Sequence, residues 1–254
     1  MVYSNPYLNR KTLKQMIRNL VQDTVNQYHN MKHTYEVFQS VCVLSERVDF
    51  LSETDRSLLQ IAALCHDFHH PGVSNASVLA SGSFTGKELS YVRERTQSTN
   101  IDFSMSYNEM IHVHDSLQAI EKYLIRLFKT DVFKNIKTII TLILSTDITL
   151  HDKYMIQYVN KLGVMMLILK LADISHALRP FKVHLYWVFN HHRENHNEYL
   201  SLGDIAKDTL WFYNRYLEPT LFVFDKHFDV PELKDQYTKN KLHWKLLLAS
   251  DVGT

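Results

Sequence analysis

Ala63-Leu64-Cys65-His66-Asp67-Phe68-His69-His70-Pro71-Gly72 closes an apolar run with a histidine beside an aspartate, followed by a Pro-Gly break. Upstream, Asp55 to Leu64 reads as a helix, and Ser52-Glu53-Thr54-Asp55 offers capping chemistry at its start. Pro-Gly ends helices, so His66 and Asp67 fall where this one stops. An adjacent imidazole and carboxylate can hold a divalent metal, and the second carboxylate oxygen can draw another metal close. One such pair is common in proteins. Here it is accompanied by Tyr28-His29-Asn30-Met31-Lys32-His33 and by Leu171-Ala172-Asp173-Ile174-Ser175.

The rest of the chain reads as helices. Leu13, Ile17, Leu20, Val21 and Val25 recur at three- and four-residue steps, and Val37, Val41 and Leu44 resume the pattern after the first histidines. Residues 117–128, 132–144, 155–171, 185–199, 205–224 (interrupted by Pro219) and 241–248 show the same period. No alternating run makes a strand. The stretch 81–100, starting Ser81-Gly82-Ser83-Phe84-Thr85-Gly86, reads as a surface loop or insertion. Only 6 glycines and 5 prolines punctuate 254 residues, which suits long helices, and the 45% hydrophobic content suffices for one all-α domain spanning 1–254.

Charge excludes some partners. With 28 basic and 27 acidic residues there is no electrostatic case for a nucleic acid polymer or an anionic membrane. Cys42 and Cys65 cannot build a disulfide framework and read as small core residues in a reducing compartment. The first residues lack the apolar stretch of a signal peptide, and the longest apolar run, Val164 to Leu169, is too short to span a bilayer. The expectation is a cytoplasmic protein. Long helices with exposed Tyr and Phe would allow a homodimer without requiring one.

His29 and His33 lie four positions apart, on one helical face, and His66 and His70 repeat that spacing. Asp173 follows a buried apolar run, where a carboxylate is costly unless it meets a cation. His33, His66, Asp67 and Asp173 therefore form a sensible ligand set for a borderline metal such as zinc. Asp67 could bridge to a harder magnesium or manganese. Each histidine alone is more simply a satisfied polar group; the set together points to a metal-dependent phosphohydrolase.

At this point the motifs resemble a family. Tyr28-His29-Asn30-x-x-His33, His66-Asp67-x-x-His70-Pro71-Gly72-x-x-Asn75, Tyr107-Asn108-Glu109, Ser145-Thr146-Asp147 and Leu171-Ala172-Asp173-Ile174-Ser175 followed by Trp187 are similar, in order, to the catalytic domain of 3′,5′-cyclic nucleotide phosphodiesterases of the HD superfamily. The resemblance implies an all-α domain with a central dinuclear metal site that hydrolyses cAMP or cGMP to the 5′-monophosphate through a metal-bridging hydroxide. It implies that His33, His66, Asp67 and Asp173 hold a tight Zn2+, and that Asp67 also bridges to Mg2+ or Mn2+. His29 would be the general acid, with Glu194 as its carboxylate partner. His70 and His114 would act near the phosphate, and Tyr28 and Phe212 would line the nucleotide pocket.

The chain also departs from the pattern. Thr209 stands where the family has a purine-reading glutamine, and a threonine cannot offer a paired donor and acceptor. His176 replaces an asparagine, His112 a glutamate, and Asp115 the second histidine of a pair. Two rival readings remain open. One is an HD phosphohydrolase acting on another nucleotide or phosphoester, and the other a nucleotide-binding homologue with little or no activity. His29 argues against the first, which Thr209 mildly favours, and retention of His29 and Glu194 beside all four ligands argues against the second.

Overall fold

A computed structural model describes residues 10–21, 25–96, 105–128, 131–155, 160–195 and 200–251. Among them every regular element is helical: α1 (Arg10–Leu20), α2 (Met31–Glu46), α3 (Glu53–Cys65), α4 (Asn75–Ala80), α5 (Lys87–Thr96), α6 (Tyr107–Phe128), α7 (Val132–Leu144), α8 (His151–Met155), α9 (Lys161–Asp173), α10 (Phe181–Asn195), α11 (Leu202–Phe212), α12 (Glu218–Phe228) and α13 (Pro231–Asp251). Two compact units divide the chain, residues 1–169 and 170–254.

In the first unit α3 is the central element. Its Leu58, Leu59, Ile61, Ala62, Ala63, Leu64 and Cys65 are all buried, so it is covered on every side. Helices α2 and α7 pack on it, α6 packs on α7, and α1, α4 and α5 pack on α6. Ser52 caps α3 as expected: its hydroxyl accepts from the Asp55 N–H at 3.2 Å, and the Asp55 carboxylate accepts from the Ser52 N–H at 2.9 Å. Cys42 and Cys65 are free and buried. Burial raises the Cys65 thiol to about 12, which makes it unreactive.

The second unit is built on aromatic packing. Trp187, Tyr213, Phe224 and Trp244 are fully buried, and α13 packs against α10, α11 and α12. Asn240 of α13 donates to the Ala177 and Arg179 carbonyls at 2.9 and 2.8 Å, and the Tyr213 hydroxyl donates to Ala177 at 3.0 Å. These bonds pin the turn that follows α9.

Three expectations need correction. The polar stretch after Gly86 is not a loop: Lys87–Thr96 is helical, buries Glu88, Val92 and Thr96, and stacks the Arg95 guanidinium 3.6 Å over the Tyr91 ring. Residues 97–100 of that stretch lie outside the described ones, as do 156–159 and 196–199 within two expected helices. Helix α6 starts at Tyr107, ten residues before the first expected position, because buried polar residues interrupt its apolar pattern. Pro219 does not interrupt the helix around it; a π-helical turn at Tyr213–Leu217 shifts the register and Pro219 enters in the first turn of α12, where its missing N–H costs nothing.

Candidate metal centre and active site

The first histidines are set by a cap. Asn30 Oδ1 accepts from the Lys32 and His33 N–H groups at 3.0 and 3.2 Å, while its amide donates to the Asn26 and Gln27 carbonyls. One side chain therefore starts α2 and ties it to the preceding turn. His33 falls in the first turn of α2 and is buried. Tyr28 is buried beside it, its ring 4.7 Å from that of His33 and 4.8 Å from that of His29.

The second group sits where α3 stops. His66 Nδ1 lies 2.9 Å from the Ala63 carbonyl, and since a carbonyl only accepts, that nitrogen carries the proton. The lone pair is left on Nε2, which lies 3.1 Å from Asp67 Oδ2. His33 Nε2 approaches the same oxygen at 3.3 Å. His33, His66 and Asp67 thus present ligand atoms within 4.8 Å of one another. Burial alone would raise the Asp67 carboxyl, but the field of His66, a hydrogen bond from His33 and the field of His29 hold it well below the usual carboxylate range. Two imidazole nitrogens and a carboxylate oxygen at these separations suit ligands of one ion with bonds of about 2.0–2.2 Å, so the residues fit a zinc-type cation.

The break after Asp67 is clasped rather than loose. His69 and Gly72 take positive φ of 60° and 72°. The Gly72 N–H donates to His70 Nδ1 at 3.0 Å, and Asn26 donates to the His70 carbonyl at 2.6 Å. A Cβ on Gly72 would come within 3.0 Å of Asn26 Oδ1, so glycine is needed for space as well as for φ. Asn75 joins this segment to α6: its Oδ1 accepts from the Asn108 N–H at 2.7 Å, and Asn108 donates to the Val73 carbonyl at 2.9 Å. His29 stacks on His70 with ring centroids 3.6 Å apart and planes within 14°. Burial, then the field of His29, lowers His70 well below the ordinary histidine value, so it stays neutral.

Helix α6 contributes a histidine that was noted in the sequence only as a departure. The His112 ring is 5.3 Å from that of His70 and the residue is buried. Burial lowers it to about 4. The expected His114 points elsewhere: its Nδ1 is 2.8 Å from Asp115 Oδ1, its Nε2 is 2.8 Å from the Gln118 amide, and Tyr91 meets it edge-on. Asp115 also holds His69, at 2.8 Å. Glu109, one turn before His112, is raised to about 8 by burial and then by the charge of Asp147.

The remaining expected residues belong to the second unit. Asp173 is the last residue of α9 and Glu194 lies in the last turn of α10. Thr209 is buried, and its hydroxyl donates to the Ile205 carbonyl of its own helix at 2.7 Å. Phe212 is half-buried, 5.8 Å from the Tyr216 ring. Nothing in the sequence pointed to His184. Trp244 Nε1 donates to its Nε2 at 2.8 Å, so its proton sits on Nδ1, 3.1 Å from His176 Nδ1. That bond places the His176 proton on Nε2.

Comparison with known proteins agrees with this geometry. Residues 28–235 match the family described as 3'5'-cyclic nucleotide phosphodiesterase. The chain belongs to that family. The high affinity cGMP-specific 3',5'-cyclic phosphodiesterase 9A of Homo sapiens is 26% identical over 190 residues, 64% of this chain and 28% of that protein. The high affinity cAMP-specific and IBMX-insensitive 3',5'-cyclic phosphodiesterase 8 of Drosophila melanogaster is 22% identical over 278 residues, 90% of this chain and 28% of that protein. The Drosophila melanogaster dual specificity calcium/calmodulin-dependent 3',5'-cyclic nucleotide phosphodiesterase 1 is 26% identical over 197 residues, 72% of this chain and 22% of that protein. The chain thus spans under a third of the length of these three relatives. The phosphodiesterase domain of Salpingoeca rosetta rhodopsin phosphodiesterase shares the fold, with a TM-score of 0.80 at 22% identity over 96% of this chain and 83% of that one. No helix among the described residues of this phosphodiesterase-family chain is long and apolar enough to cross a membrane.

Proposed function

We propose that this chain hydrolyses a 3′,5′-cyclic nucleotide to its 5′-monophosphate at a two-metal centre. The observation that carries the reading is the convergence of His33, His66 and Asp67 on one point beside His29, in a chain of this family. Asp173 would be the fourth ligand of this position, which would take Zn2+. Asp67 would also help to hold a second cation, Mg2+ or Mn2+. When bound, two divalent cations supply an activated water and neutralise the charge that grows on the phosphoryl oxygens.

The chain's own side chains do the rest. His66 stays in the ligating tautomer because the Ala63 carbonyl holds its other proton. His29 gives a proton to the departing 3′ oxygen, and Glu194 favours the protonated imidazole that this step requires. Neutral His70, stacked beneath it, orients that ring without competing for the proton. Tyr28 walls the site, and Phe212 offers a face on which a base stacks.

The relatives' names include cGMP-specific, cAMP-specific and dual specificity enzymes, so their shared feature is the cyclic phosphodiester. Thr209 supports the same emphasis: its proton is committed to Ile205, leaving no paired donor and acceptor for a purine edge. The test is to incubate metal-loaded protein with cAMP and with cGMP in 18O-labelled water and analyse the product. The reading expects 5′-monophosphate with one 18O on phosphorus. Release of a 3′-monophosphate, or no product from either substrate, would overturn it.

A further inference from the structure

We infer that His112 is a nitrogen donor on the second-cation side of Asp67, and that it makes that position select a borderline divalent ion such as Mn2+ over Mg2+. The inference rests on the two-metal reading above and concerns a residue to which that reading gives no role.

Three observations support it. His112 is 1% exposed, yet neither ring nitrogen makes a hydrogen bond of normal geometry to the described residues. A buried imidazole in that condition is costly unless something occupies its lone pair. Its ring lies 5.3 Å from that of His70, which stacks on His29 beside the proposed ligands. A cation held by Asp67 would answer the unmet lone pair.

The neighbouring ring cannot fill the role. His70 Nδ1 accepts from the Gly72 N–H, so the proton of its neutral ring is on Nε2. Its other nitrogen is therefore a donor, with no lone pair to offer a cation. His112 has no such restriction, since both of its ring nitrogens lack a hydrogen-bond partner among the described residues. Two positions on, His114 is turned to Asp115 and Gln118 and does not compete.

The chemical consequence follows from ligand hardness. Magnesium demands oxygen donors and keeps its waters, whereas imidazole suits manganese, iron, cobalt and zinc. The glutamate that the family pattern leads one to expect at this point in α6 would favour magnesium. A histidine there moves the preference away from it.

The test is a binding competition, independent of turnover. Metal-stripped protein receives one equivalent of Zn2+ and is then titrated with Mn2+, free Mn2+ being read by electron paramagnetic resonance, with and without Mg2+ as competitor. Wild type should bind a second ion and prefer Mn2+. His112→Gln should weaken Mn2+ binding by about 10–100-fold with little change for Mg2+. His112→Glu should turn the preference toward Mg2+. Circular dichroism reports whether each variant folds.

Equal affinity of wild type for Mn2+ and Mg2+ would overturn the inference without any variant. So would folded variants that keep the wild-type ratio. A wild type that takes up zinc but no second ion would overturn the two-metal reading itself, and this inference with it.

Discussion

At the scale of single residues, the site depends on protons and lone pairs being fixed before any cation arrives. His66 is the clearest case: the Ala63 carbonyl settles its tautomer and leaves Nε2 toward Asp67. Asn30 is the least obvious. It was legible in the sequence only as part of a motif, and its physical work is to cap α2 so that His33 sits in the first turn. Asn30→Ala should therefore cost about 1 kcal/mol of stability, the usual loss for such a cap. It should also weaken zinc binding, because the first turn that carries His33 frays. Thermal unfolding of the metal-free protein and a zinc titration measure the two effects separately; an unchanged zinc affinity would show that the cap does not position His33. The tautomers of His176 and His184 could not have been read from the sequence, since they depend on Trp244, sixty positions from His184.

Among the elements, α3 and α7 were legible because their apolar positions are dense and their ends are marked: Ser52 and Asp55 cap one, and the other runs over Val132–Leu144 as expected. The first turns of α6 were hidden for the opposite reason. Asn108, His112 and Ser116 are polar yet buried, serving the loop and the site rather than the surface, so the hydrophobic period fails where the helix is most functional. Helix α5 was hidden because only a few of its residues, Val92 among them, face the core. Glu109 gives this region a pH signature. Its carboxyl is raised from the 4.5 of an unfolded chain to about 8, chiefly by burial. The native state thus binds the proton more tightly, so this contribution is fully present below pH 4.5 and is lost as pH rises toward 8. For metal-free protein, the melting temperature of Glu109→Gln minus that of wild type should grow steadily across that interval. A difference independent of pH would mean that Glu109 is ionised in the folded state.

For the whole molecule, the all-helical fold and the family could be read from five short motifs in order, whereas the base preference could not. Thr209 and His176 stand at positions where the family pattern leads one to expect amides. A metal that binds only the folded chain stabilises it by mass action, by about 2.7 kcal/mol at a hundred times its dissociation constant. Chelation should therefore lower the melting temperature and zinc should restore it. Asp173→Ala should reduce that zinc-dependent rise, because it removes the proposed fourth ligand; a full rise in this variant would exclude Asp173 from the centre. The central claim is that metal binding and proton donation are separate parts of one phosphodiester hydrolase. It is tested most directly by measuring turnover of cAMP and cGMP per metal-loaded chain, for wild type and for His29→Ala, with metal content determined on the same samples. The account predicts equal metal content and a loss of about two to four powers of ten in turnover for the variant, the size of a missing general acid. Turnover by the variant equal to wild type, or a metal-loaded wild type inert on both nucleotides, would contradict it.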